Sequence, residues 1–206
     1  IKKIKEINPD LIGFSVYTQD YQYALSFARM IKKEMPAIPI IFGGIHCILC
    51  PEQVIKEDCV DMVCIGEGEE AIMELVENSN PYKTGTKSFW EVDNLWCKVG
   101  NEFMKNHIRP LIQDLDSLPF IDRDILYEQK PVFKRDLSIS TGRGCPYQCT
   151  FCASNALGEF YRLQNLGKYV RQRSVTNVIN ELAITKRKYS PSSVYFTDDV
   201  FTLSVD

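Results

Sequence analysis

Three cysteines crowd one short stretch, Arg143-Gly-Cys-Pro-Tyr-Gln-Cys-Thr-Phe-Cys152, so that Cys145, Cys149 and Cys152 form a C-x3-C-x2-C triplet. Thiolates at this spacing can each hold one iron of a 4Fe–4S cluster. No fourth cysteine follows at a cluster-ligand spacing, so one iron is left open to a substrate or cofactor. With 8 Cys in 206 residues, chance alone gives roughly 0.01 such triplets in the chain. Structural zinc is the first alternative, but it wants four ligands, and the only histidines, His46 and His107, lie well upstream. A disulfide framework fits poorly with a chain of this size that shows no secretion signal.

Two elements must hold such a loop. Upstream, Leu137-Ser-Ile-Ser-Thr141 reads as a strand ending just before the first cysteine. Downstream, Val170-Arg-Gln-Arg-Ser174 precedes an amphipathic helix from Val175 to about Lys188. Ser193-Val-Tyr-Phe196 then reads as a short strand running into Thr197-Asp198-Asp199. The triplet and the Asp pair thus both stand at strand ends, where loops carry function.

With Phe151 directly before the third cysteine, the triplet resembles the signature of the radical S-adenosylmethionine (radical SAM) enzymes. The elements after it resemble the first β/α unit and second strand of that family's partial barrel. The resemblance implies a 4Fe–4S cluster on Cys145, Cys149 and Cys152, with SAM chelating the open iron. It implies reductive cleavage of SAM to methionine and a 5′-deoxyadenosyl radical, the protein supplying placement and exclusion of water. Phe151 would then pack near the adenine, Asp198 or Asp199 would accept from the SAM ammonium, and Arg171 would meet its carboxylate. A reductant such as flavodoxin or ferredoxin is the implied partner.

The upstream half alternates apolar strands and helices. Asp10–Ser15, Ile38–Phe42 and Val60–Cys64 read as strands; Tyr21–Glu34, Pro51–Glu57 and Glu69–Glu77 read as helices. Such alternation predicts a parallel, doubly wound sheet. Its strands end in small residues at Ser15, Gly43-Gly44 and Gly66-Glu-Gly-Glu69, and ligands of such folds bind outside the carboxyl ends of the strands. No G-x-G-x-x-G follows the first strand, which disfavours a dinucleotide. This half is similar to the cobalamin-binding domain that precedes the barrel in one radical SAM subfamily. The matching residues are Ser15 with Thr18, the Gly43-Gly44-Ile-His46 turn, and Gly66, Glu67 and Gly68. Cobalamin contacts are implied for these, and methyl transfer or rearrangement on an unactivated carbon for the whole. Cys47 and Cys50 form a C-x-x-C that reads more simply as core packing.

The chain is thus expected to be α/β: an incomplete Rossmann-like (cobalamin-binding) parallel sheet in residues 1–80, its first strand missing. A linker with a β-hairpin about Gly100-Asn101 follows in 81–130, and the N-terminal part of a radical SAM partial TIM barrel in 131–206. It reads as a fragment truncated at both ends. A formal charge of -3 argues against a dedicated nucleic-acid surface, no apolar run is long enough to span a bilayer, and the cysteine content points to a reducing cytoplasm. The competing class is a binding module without turnover, an iron–sulfur electron carrier or a zinc-stabilised domain. The substrate is not legible.

Overall fold

Short apolar runs build the first sheet, seen in a computed structural model that describes residues 1–78 and 89–203. After helix α1 (Lys2–Ile7) come β1 (Ile12–Ser15), α2 (Tyr21–Glu34), β2 (Ile40–Gly43), α3 (Ile45–Leu49), α4 (Pro51–Ile55), β3 (Met62–Cys64) and α5 (Glu69–Asn78). β1, β2 and β3 lie side by side and parallel, with Ser15 opposite Gly43 and Phe42 opposite Val63. Ile40, Ile41 and Phe42 of β2 and all of β3 are buried, as expected of parallel strands covered on both faces. α2 buries Tyr21, Leu25, Ala28 and Ile31, one stripe at helical spacing. The core includes Ile41, Met62, Cys64, Ala71, Leu75, Leu95 and Cys97. Burying each large apolar side chain of this kind contributes about 1.5–3 kcal/mol.

The sheet is mixed rather than wholly parallel. The hairpin expected in the connecting segment forms as β4 (Leu95–Val99) and β5 (Glu102–Lys105), and β4 pairs antiparallel with β3, so that the sheet continues through it. A two-residue turn can join only antiparallel neighbours, and the alternation of β4 drives Leu95 and Cys97 into the core beside Met62 and Cys64. The turn-rich segment 79–85 lies outside the described residues. The chain divides into two compact units, Ile1–Leu111 and Ile112–Asp206.

The second unit holds α6 (Asp124–Gln129), β6 (Asp136–Ile139), β7 (Gly142–Arg143), α7 (Ala153–Leu163), β8 (Arg171–Gln172), α8 (Val175–Tyr189) and β9 (Ser193–Phe196). β6 pairs parallel with β9, and β7 antiparallel with β8. A parallel pair needs a crossover connection, here the path through α7 and α8. Ser174 caps α8 by accepting from Asn177 N–H at 3.1 Å, and Ser190 ends it in the left-handed region at φ 49. α8 buries Glu181, whose carboxylate is held by Arg123 at 2.8 Å and Arg173 at 2.7 Å. No helix of the described residues is long and apolar enough to cross a membrane.

Candidate functional site

Cys145, Cys149 and Cys152 lie on one loop between β7 and α7, all three as free thiols. Cys149 and Cys152 are exposed, and the loop folds back on itself where Cys152 N–H donates to Cys149 O at 3.1 Å. Phe151 between them is 93% exposed. Among the described residues no three His, Cys, Asp or Glu side chains converge as one bound ion requires. A four-iron cluster makes a different demand, since its thiolates sit on separate irons. Three uncommitted sulfur donors on a single loop fit that demand. An open cleft of about 820 Å³ lies beside the loop, lined by Cys145, Ser154, Gly158 and Tyr169 among others.

The carboxyl ends of β6 and β9 come next to this loop through polar contacts. Asp198 Oδ1 accepts from Thr141 N–H at 2.8 Å and from Thr141 Oγ1 at 2.9 Å. The other Asp198 oxygen, Oδ2, is buried and has no hydrogen-bond partner, a costly condition for a carboxylate. Asp199 Oδ2 instead accepts from Ser154 Oγ at 2.7 Å, and Ser154 Oγ lies 3.0 Å from the Tyr169 hydroxyl. Burial pushes the Tyr169 phenol up, and the nearby Asp199 adds to the shift. Asp198 and Asp199 also line a small void of about 10 Å³ with Gly144 and Arg171. Arg171 is buried, directing Nη1 to Ile112 O at 2.7 Å and Nε to Tyr169 O at 3.3 Å.

In the first unit the predicted residues gather because three parallel strands end together. Thr18 Oγ1 lies 3.1 Å from His46 Nδ1, and a Cβ added at Gly44 would come 3.2 Å from Ser15 Oγ. The His46 ring packs against Tyr21 at 4.2 Å, and its Nε2 is buried without a partner. Burial lowers the pKa of this imidazole from its ordinary value. A Cβ added at either Gly43 or Gly68 would meet the Cys64 side chain within 3.8 Å, which brings the β2 and β3 ends into one neighbourhood. Gly66 has φ +97, and Asn94 Nδ2 pins the next residue by donating to Glu67 O at 2.7 Å. An orphaned imidazole nitrogen beside glycine-lined strand ends fits a bulky ligand lying close to the backbone.

Sequence reasoning missed Thr141, Ser154, Tyr169 and Asn94. Ser154 stands two residues past Cys152 at the start of α7, and that helix could have been found from the spacing of its buried Leu157 and Tyr161. The other three carry no local signal; their roles exist only through distant partners.

Of the remaining cysteines, Cys47, Cys59, Cys64 and Cys97 are buried in the core and Cys50 is half-buried. Burial pushes the Cys47 and Cys97 thiols up to about 12 and the Cys64 thiol up to about 11. Cys47 Sγ donates to Gly43 O at 3.3 Å. Because the thiolate is the nucleophile, iodoacetamide at neutral pH should label Cys149 and Cys152 in the native apoprotein. Cys47, Cys64 and Cys97 should stay unlabelled until denaturant is added. Peptide mass mapping checks this, and labelling of Cys47 as fast as Cys149 would contradict the packing.

Residues 1–76 match the family model of the B12-binding domain. An uncharacterized methyltransferase of Pyrococcus horikoshii is 32% identical over 208 residues, covering 98% of this chain and 42% of that protein. The cobalamin-dependent radical SAM methyltransferase TokK of Streptomyces tokunonensis is 26% identical over 153 residues, covering 71% of this chain and 22% of TokK. Among solved structures, the cobalamin-dependent S-adenosylmethionine radical enzyme OxsB, with aqua-cobalamin and S-adenosylmethionine bound, matches with a TM-score of 0.72 at 22% identity. That match covers 97% of this chain and 27% of OxsB, and it is a likeness of fold. The chain spans less than half the length of these relatives. Fold and site together define a mixed α/β protein with a parallel-rich sheet, a B12-binding domain and a cysteine-triplet loop. The chain carries a B12-binding domain and is similar to cobalamin-dependent radical SAM methyltransferases.

Proposed function

We propose that this chain holds a 4Fe–4S cluster on Cys145, Cys149 and Cys152, SAM beside it, and cobalamin at the carboxyl ends of β1, β2 and β3. In this reading the whole protein is a radical SAM methyltransferase, and β6 and β9 are the first two strands of a partial β/α barrel. The observation that carries it is the loop of three uncommitted thiols next to strand ends that present a buried, unbonded carboxylate oxygen. When bound, these groups supply one-electron cleavage of the SAM sulfonium and a carrier for a methyl group.

The chain's own residues have simpler tasks. Asp198, with Oδ1 committed to Thr141 and Oδ2 without a partner, is the carboxylate suited to accept from the SAM ammonium. Phe151, exposed within the triplet loop, offers a face for the adenine. Arg171 lines the same small void as Asp198 while bonded to the carbonyls of Ile112 and Tyr169, so it shapes that wall and brings positive charge near the SAM carboxylate. Ser15, Thr18, Gly43, Gly44, His46, Gly66, Glu67 and Gly68 border the proposed corrinoid site, where His46 Nε2 awaits a polar partner. The reaction calls for a low-potential one-electron donor of the flavodoxin or ferredoxin kind.

Anaerobic reconstitution with iron and sulfide tests the first half. The protein should take up about four irons per chain with a broad charge-transfer absorbance, and the triple variant Cys145→Ala, Cys149→Ala, Cys152→Ala should take up none. Stoichiometric zinc with no iron uptake would overturn the cluster. Titration with hydroxocobalamin tests the second half, where absence of binding would reduce the first sheet to a scaffold.

A further inference from the structure

Tyr169 touches the cysteine loop on both sides. Just before Cys145, Gly144 has φ +86 and lies so close that a Cβ there would sit 2.5 Å from the Tyr169 carbonyl oxygen. Just after Cys152, Ser154 Oγ meets the Tyr169 hydroxyl at 3.0 Å. The ring between these points is seated against Gly158 of α7, where an added Cβ would approach Tyr169 Cδ1 to 3.0 Å. It also stacks on Tyr161 with centroids 5.7 Å apart. Glycine at 144 and 158 is therefore what admits the tyrosine.

The hydroxyls have a fixed sense. Ser154 has one hydroxyl hydrogen, and it is given to Asp199 Oδ2 at 2.7 Å. Tyr169 must then be the donor to Ser154 Oγ. The chain runs from the Tyr169 hydroxyl through Ser154 to the Asp199 carboxylate at the end of β9. Ser154 is buried at 8% exposure, so water competes little for these bonds.

We infer that Tyr169, Ser154 and Asp199 form a clamp that presets the Cys145–Cys152 loop for cluster ligation, with Tyr169 as its positioning residue. This rests on the proposed cluster ligation by the triplet. It divides the adjacent carboxylates, Asp199 holding the loop and Asp198 keeping an oxygen for a ligand. Contacts behind metal ligands orient them, and the hydrogen-bonding around cluster sulfurs tunes the reduction potential.

Tyr169→Phe, Ser154→Ala and the double variant test the clamp. Each is reconstituted anaerobically with iron and sulfide and then challenged with an iron chelator, and the cluster potential is measured. If the unaltered protein takes up no iron, the cluster reading itself fails and the clamp falls with it. With that protein loaded, Tyr169→Phe should release iron roughly tenfold faster and show a shifted potential. The double variant should release it no faster than the single ones, because either break opens the same chain. Two outcomes sink the clamp alone: release rates and potentials unchanged in both single variants, or effects that simply add in the double variant. An iron loss fully matched by a lower thermal midpoint of the apoprotein, with the potential unmoved, would also overturn it.

Discussion

Replacing Glu181 by alanine should lower stability by about 3–5 kcal/mol, the cost of leaving buried charge without its partner. Glu181 is 3% exposed, and its two oxygens are divided between Arg123 at 2.8 Å and Arg173 at 2.7 Å. Removing the carboxylate strands two guanidinium groups that have little access to water. The effect should also reach the site. Arg173 holds Asn177 Oδ1 at 2.8 Å and Ser140 O at 2.9 Å, and its backbone N–H donates to Thr141 O at 2.8 Å. Thr141 in turn supplies both hydrogen bonds that orient Asp198. Glu181→Gln keeps the shape and one acceptor, so it should fall between the alanine variant and the original. Urea unfolding measures the series. A loss below about 1 kcal/mol for Glu181→Ala would mean that both arginines swing out to water, as exposed pairs do, and that the network does not hold Asp198.

Gly44→Ala should be nearly as damaging, for a backbone reason. Gly44 has φ 92 and ψ -179, a region essentially confined to glycine, where strain costs roughly 1–3 kcal/mol. Its added Cβ would lie 2.7 Å from Val16 N and 2.9 Å from Val16 O. Both atoms are committed, Val16 N–H to Gly43 O at 2.8 Å and Val16 O to the His46 N–H at 3.1 Å. Displacing these bonds adds on the order of 1 kcal/mol each, so the total should reach about 3 kcal/mol. The turn that carries His46 would move with them, and hydroxocobalamin affinity should drop in parallel. Gly43→Ala is the control, since its Cβ would make ordinary contact at 3.6 Å with Cys64 Cβ. Equal unfolding midpoints for the two variants would refute this account of the turn.

The helices and strands most legible beforehand are those whose pattern is complete within one element. The stripe of α2, the apolar runs of β2 and β3, the β4–β5 turn at Gly100-Asn101 and the amphipathic pattern of α8 are all local signals. α3 escaped because five residues are too short to show a period. α7 escaped because the triplet in front of it reads as a loop. The joining of β4 to β3 was not visible, since a hairpin's own residues do not say which neighbour it will pair with.

The chemistry divides in the same way. The amino-acid sequence alone determined that three thiols share one short stretch, because they fall within eight residues whatever surrounds them. It also determined that Ser15, the Gly43-Gly44 turn and the Gly66–Gly68 turn end apolar runs, and hence that they cluster where parallel strands stop. It left Asp198 and Asp199 equivalent. Only the tertiary structure separated them, giving one to Thr141 across 57 residues and the other to Ser154 across 45. The buried partnership of Arg123 with Glu181 spans 58 residues and was likewise invisible. Such hydrogen bonds depend on sub-ångström placement of atoms that packing alone brings together, and no periodicity along the chain encodes them.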